Sequence, residues 1–145
     1  MNFGLLSMGA VLAFAAMGSA IGAGEAGQAA IGAWKKCYAQ NKPAPFLLIA
    51  FVGAPLTQTI YGLIVMGQIK TAAASGHADP WLLLGAGFGG IALGLSAWFQ
   101  GRAGAAAADA FVESGKGFAN YILVLGIIET VALFVMVFLL GALAG

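Results

Sequence analysis

The sequence predicts an all-α integral membrane protein of four transmembrane helices arranged as two helical hairpins, and three observations predict it. The 145 residues are 61% hydrophobic and only 8% charged, whereas a soluble domain carries about a quarter charged residues. Four segments free of charge, or nearly so, run from Asn2 to Gly24, Pro43 to Ile69, Pro80 to Gly101 and Gly117 to Gly145. Each reaches the ~20 residues that cross a bilayer. Lysines and arginines then fall in alternate loops, as expected of a chain threaded back and forth.

The first span is read over 3–33. Its N-terminal stretch, MNFGLLSMGAVLAFAAMGSA, lacks a positive n-region, and its apolar run outlasts a secretion signal. It is therefore expected to be retained. The second span, 46–70, closes a first hairpin over residues 1–72. The third and fourth, 80–107 and 118–143, make a second hairpin over 73–145. The polar stretches between them, Lys35–Lys42, Lys70–Asp79 and Arg102–Lys116, are loops or helix ends projecting into water. Trp34, Tyr38 and Trp81 sit near the boundaries, where amphipathic rings settle. The first and third loops hold Lys35, Lys36, Lys42, Arg102 and Lys116, against Lys70 alone in the second. The positive-inside rule places those two loops in the cytoplasm and both termini outside.

The halves look duplicated. G-x-x-x-G occurs at Gly18/Gly22 and at Gly90/Gly94, further glycines stand at Gly24/Gly27 and Gly101/Gly104, and Gln58-Thr59 echoes Glu129-Thr130. The offsets, 72, 77 and 71 residues, disagree, so the register of the repeat is open. Small faces let helix backbones approach closely in lipid, which a generic four-helix bundle would also exploit.

Composition excludes several classes. A net charge of +1 without a basic patch gives no nucleic-acid partner. No phosphate-binding loop appears, so the chain is not itself an ATPase. Cys37 is the only cysteine, which rules out an internal disulfide and leaves it a reduced residue at a helix end or loop.

Glu129 is the anomaly. It lies about a dozen residues past Lys116, roughly 18 Å along the helix and near mid-membrane. An ionised side chain there costs about 2.5–3.5 kcal/mol. The other helices carry no lysine or arginine at that depth, so a proton or a bound cation must neutralise it. On the second span Ala54, Thr57, Gln58 and Tyr61 are spaced to share one helix face. Pro55 disturbs the backbone ladder there and frees carbonyl oxygens. Hydroxyl, amide and carbonyl oxygens beside a carboxylate suit a hard cation. Thr57 and Gln58 have a plainer alternative in interhelical hydrogen bonding, which Glu129 makes the lesser reading.

Three motifs carry a family resemblance over essentially the whole chain: A-P-L-T-Q-T-I-Y-G at Ala54–Gly62, W-F-Q-G at Trp98–Gly101 and I-I-E-T at Ile127–Thr130. The sequence resembles the rotor-ring proteolipid, or K subunit, of bacterial V-type sodium-transporting ATPases. The resemblance implies an ion held by Glu129, Gln100, Thr57, Gln58 and the carbonyl of Ala54, with Tyr61 hydrogen-bonded to the glutamate. It implies Na+ as cargo, with H+ as the alternative, in a ring of identical subunits. It also implies a stator subunit that supplies an arginine and a central stalk that docks on the cytoplasmic loops. Leu56 stands where the family has a small residue and would narrow the pocket. Counted from Trp81, Gln100 falls deeper than Gln58 and Glu129, at about 28 Å along its helix.

The remaining charges are read more plainly. Glu25 and Arg102 are solvated helix ends, a pair between them being the lesser reading. Asp109, Glu113 and Lys116 form an exposed helix end and turn, and Trp98 is a packing residue. His77, beside Asp79, has no assigned role. A proton-coupled exporter and a membrane scaffold compete with the rotor. The first would place its glutamate on helix one, and the second leaves Glu129 unexplained.

Overall fold

The computed structural model describes residues 2–76 and 78–145, so His77 lies outside the described residues. Helix α1 runs over Phe3–Ala39 and α2 over Leu48–Gly53, followed by a 3-10 turn at Ala54–Leu56. Helices α3 (Thr57–Ser75), α4 (Pro80–Ser114) and α5 (Phe118–Ala144) complete the chain, and no strand occurs among the described residues. Four stretches, Phe3–Ala39, Leu48–Ser75, Pro80–Ser114 and Phe118–Ala144, are long and apolar enough to cross a membrane.

The helices outrun the expected spans at the lysine- and arginine-bearing end. Helix α1 continues through Lys35 and Lys36, and α4 through Asp109 and Glu113. At 37 residues α1 is roughly 55 Å long, well beyond a ~30 Å hydrocarbon core. Its charged end therefore projects past any bilayer. There the Lys36 ammonium meets the Glu113 carboxylate at 2.5 Å, both exposed. Their hydrogen bond holds the lysine pKa above, and the glutamate pKa below, the ordinary value of each.

Local signals explain the ends. Asn2 caps α1 by accepting from Leu5 N–H, and Asp79 caps α4 by accepting from Trp81 N–H, with Pro80 at the first helical position. Gly115 and Gly117 take φ of +66° and +86°, which turns the chain from α4 into α5 within three residues. Trp34 Nε1 donates to Pro45 O at 2.8 Å and ties the first loop to α1.

Helices α1 and α4 run parallel and pack closest. A methyl built on Gly18 would lie 2.0 Å from Gly94 O, one on Gly90 2.5 Å from Val11 O, and one on Gly101 2.1 Å from Gly22 O. The two G-x-x-x-G motifs thus face each other across one interface. Helices α3 and α5 pack on the outside of this pair. In the first hairpin Gly62 meets Ala15, and Gly22 meets Pro55. In the second Ser96 bonds Ile128 O. These pairings follow the 77-residue offset of Gly24/Gly101 on the inner helices and the 71-residue offset of Gln58/Glu129 on the outer ones.

The core has two apolar ends and a polar middle. One cluster, centred on Val11, Ala15, Val65, Ile69 and Leu93, fills the end near the termini. The other, Ala30, Ala33, Leu48, Phe51, Ala108 and Leu125, fills the charged end. Five buried polar side chains belong to neither cluster: Ser7 near the N-terminal end of α1, and Ser19, Gln58, Ser96 and Gln100 in the middle.

Candidate ion-binding site

Pro55 begins the site. Without an N–H it cannot bond the Phe51 carbonyl, and the backbone tightens into the 3-10 turn at Ala54–Leu56. The turn delivers Thr57 and Gln58 at the start of α3. The single Thr57 hydroxyl proton is shared between Ala54 O at 3.1 Å and Gln58 Oε1 at 3.2 Å. Gln58, fully buried, donates through Nε2 to Gln100 Oε1 on α4 at 2.9 Å. Gln100, equally buried, donates to Glu129 Oε2 at 3.2 Å and to Leu125 O at 3.0 Å. Tyr61, one helical turn beyond Thr57, donates to Glu129 Oε1 at 2.5 Å. A continuous hydrogen-bonded chain therefore links the second span, α4 and the carboxylate of α5.

All five ligand candidates, Ala54, Thr57, Gln58, Gln100 and Glu129, lie in this chain, together with Tyr61. The Leu56 side chain is 51% exposed and takes no part in this hydrogen-bonded chain. The depth mismatch at Gln100 is real for the backbone and is closed by side-chain length. Ser96 faces Ile128 O, so Gln100, one turn further along α4, is level with Leu125. Its amide spans the remaining turn to Glu129.

The electrostatics are spare. Among the described residues the one ion pair is Lys36–Glu113, and no cationic side chain reaches Glu129. No group of three or more His, Cys, Asp or Glu forms among them either. The donors that converge are hydroxyl, amide and carbonyl oxygens around one carboxylate, which suits a small hard cation rather than a transition metal.

Two features escaped the sequence. Ser96 holds Ile128 O at 3.0 Å, fixing the backbone one residue before Glu129. Glu25 accepts from Trp98 Nε1 at 2.9 Å, while Arg102 lies 5.9 Å from the Phe99 ring centroid. Trp98 is thus a hydrogen-bond donor as well as a packing residue. Only a pattern of serine and tryptophan at one helix level could have signalled either contact.

Four apolar spans with one hydrogen-bonded carboxylate among buried amides fit a multi-pass membrane protein with a polar site between its helices. Residues 84–140, most of the second hairpin, match the family model of the ATP synthase C-subunit. Over those residues the chain is similar to that family. No curated protein matches the chain.

Proposed function

We propose that the chain is the rotor-ring subunit of a V-type ATPase and that it carries Na+ across a bacterial membrane. The observation that carries this reading is Glu129, held by Tyr61 and Gln100 with no cationic neighbour among the described residues. A proton carrier needs only a carboxyl in an apolar pocket. The buried amides of Gln58 and Gln100 and the hydroxyl of Thr57 add oxygens that serve a metal ion. Glu129 supplies the neutralising charge, Thr57, Gln58, Gln100 and the Ala54 carbonyl supply neutral oxygens, and Tyr61 fixes the carboxylate. Pro55 shapes the turn that aims Thr57 and Gln58.

An occupied site is electrically balanced and passes through lipid, whereas an empty carboxylate is penalised there. Rotation past a stator arginine, with that arginine displacing the ion, then moves one ion per subunit per turn. Each crossing works against about 2.3 kcal/mol per 100 mV, supplied by ATP hydrolysis elsewhere in the complex. The charged helix ends around Lys36 and Glu113 face the cytoplasm and the central stalk, and both termini lie outside.

The test is labelling of Glu129 by dicyclohexylcarbodiimide in detergent-purified rings. Na+ is expected to slow labelling. The concentration for half-protection should rise by about tenfold per pH unit on acidification, in the limit where one proton and one Na+ compete for the carboxylate. Labelling indifferent to Na+ at every pH assigns the cargo as H+ instead.

Tyr61→Phe tests the carboxylate's support. It removes a charge-assisted hydrogen bond of about 1.5–3 kcal/mol, so half-protection should need roughly ten- to a hundredfold more Na+. Rings of unchanged mass with unchanged protection would show that Tyr61 does not hold Glu129.

A further inference from the structure

Ser19 is a buried polar group that the ion site does not use. It is 2% exposed, and its hydroxyl has no hydrogen-bond partner among the described residues. Such groups are rare in folded proteins and call for a reason. Helical serines here otherwise find partners: Ser7 and Ser114 each donate at 2.7 Å to the carbonyl four residues back. Ser19 forgoes that option with Ala15 O.

Its position follows from the contacts on either side. Gly22 of α1 approaches Pro55, and Ala15 of α1 approaches Gly62 of α3. The two segments are antiparallel, so Ser19, three residues before Gly22 and four after Ala15, lies opposite Gln58. Gln58 is three residues after Pro55 and four before Gly62. The repeat gives the same answer. Ser19-Ala20 with Gly24, Ala26 and Gly27 matches Ser96-Ala97 with Gly101, Ala103 and Gly104. Ser96 donates to Ile128 O, beside Glu129. The corresponding partner of Ser19 would be the carbonyl of Thr57, beside Gln58. There the Pro55 turn has reshaped the backbone, and the hydroxyl is left over.

Gln58 carries the complementary surplus. Its Oε1 accepts from Thr57 and one Nε2 hydrogen goes to Gln100 Oε1, which leaves a second amide hydrogen. We propose that Ser19 is a positioning residue of the ion site: its hydroxyl accepts the Gln58 amide when a cation draws the amide oxygens toward Glu129. In the hydrogen-bonded chain between the helices, Gln100 Oε1 is the acceptor for Gln58. A cation competes for that oxygen, and Ser19 offers the displaced N–H a second partner at the same level. The Gln58 oxygen is thereby held on the ion. This inference rests on the sodium reading and adds to it a residue on the first helix, away from the carboxylate.

Ser19→Ala and Ser19→Cys separate the possibilities in purified rings, with carbodiimide labelling of Glu129 as the readout. Both variants are expected to raise the Na+ concentration for half-protection by about tenfold, the effect of one lost hydrogen bond. The pH profile of labelling without Na+ should stay unchanged, because the proton on Glu129 does not engage Gln58. Cysteine fills the position with a slightly larger side chain and a weaker hydrogen-bonding group, and it carries the test if the alanine ring fails to assemble. Half-protection within twofold of wild type overturns the assignment while leaving the sodium reading intact. So does a cysteine variant indistinguishable from wild type, or an equal shift in Na+ and proton responses, either of which marks Ser19 as packing alone. Wild-type rings indifferent to Na+ overturn the sodium reading and this inference with it.

Discussion

Glu129→Gln is expected to give rings that assemble normally and transport nothing. The substitution keeps shape and size, so the contacts of α5 with α3 and α4 survive. Tyr61 can still donate to the amide oxygen. The other end is worse served, because Gln100 Nε2 would face a second N–H donor where Glu129 Oε2 now accepts. That local conflict costs about 1 kcal/mol, and relief of a carboxylate near mid-membrane offsets it. Thermal stability should therefore hold or rise.

The ion has no such compensation. With the carboxylate gone, a cation among these neutral oxygens carries an unbalanced charge at mid-span. The penalty of about 2.5–3.5 kcal/mol predicts a loss of affinity of about a hundredfold or more. Sodium uptake by vesicles holding the reconstituted complex is the measurement, and it should fall to background. Glu129→Asp keeps the charge but withdraws it by one methylene from Tyr61 Oη, now at 2.5 Å, so an intermediate rate is expected. Uptake by the glutamine variant within severalfold of wild type would leave the neutralised-carboxylate mechanism without support.

The four helices were legible because charge is so scarce in this chain that each uncharged run marks a span. Their ends were not. Lys35, Lys36, Asp109 and Glu113 read as loop residues or as helix ends projecting into water, and they continue helices that extend past any bilayer. Charge limits what can sit in lipid and says little about where a helix stops. Gly115 and Gly117, with positive φ, do stop α4 and start α5. The site divides similarly. Glu129, Thr57 and Gln58 stood out as polar residues deep in apolar runs. Gln100 came only with the family motif, since its depth alone argued against it. Ser19 and Ser96 were invisible, because a serine in a small-residue helix carries no flag until its neighbours are known. Glu25 has a partner that its charge did not signal. It read as a solvated helix end, with a pair to Arg102 the lesser reading, and its carboxylate accepts from the indole N–H of Trp98.

Gly101→Ala should be the most damaging change of a single methyl group. The added carbon would lie 2.1 Å from Gly22 O, 2.2 Å from its Cα and 2.3 Å from its carbonyl carbon. These are backbone atoms of a long helix, so no rotamer change can relieve the overlap. Helices α1 and α4 must separate, and overpacking of this kind costs about 1–3 kcal/mol or more. Where close approach of small faces holds helices together in lipid, the loss falls on the main cohesive contact of the protein. It also reaches the site, because Gln100 precedes Gly101 and would shift against Gln58 and Glu129. A sharp fall in ring yield and thermal midpoint is expected, with weaker Na+ protection of whatever assembles. Gly32→Ala is the matched control, since nothing lies within 4 Å of its added carbon. That change should be neutral or slightly stabilising, by up to about 1 kcal/mol of helix propensity. If the two variants behaved alike, the glycine contact between α1 and α4 would not be what sets the helix spacing around the carboxylate.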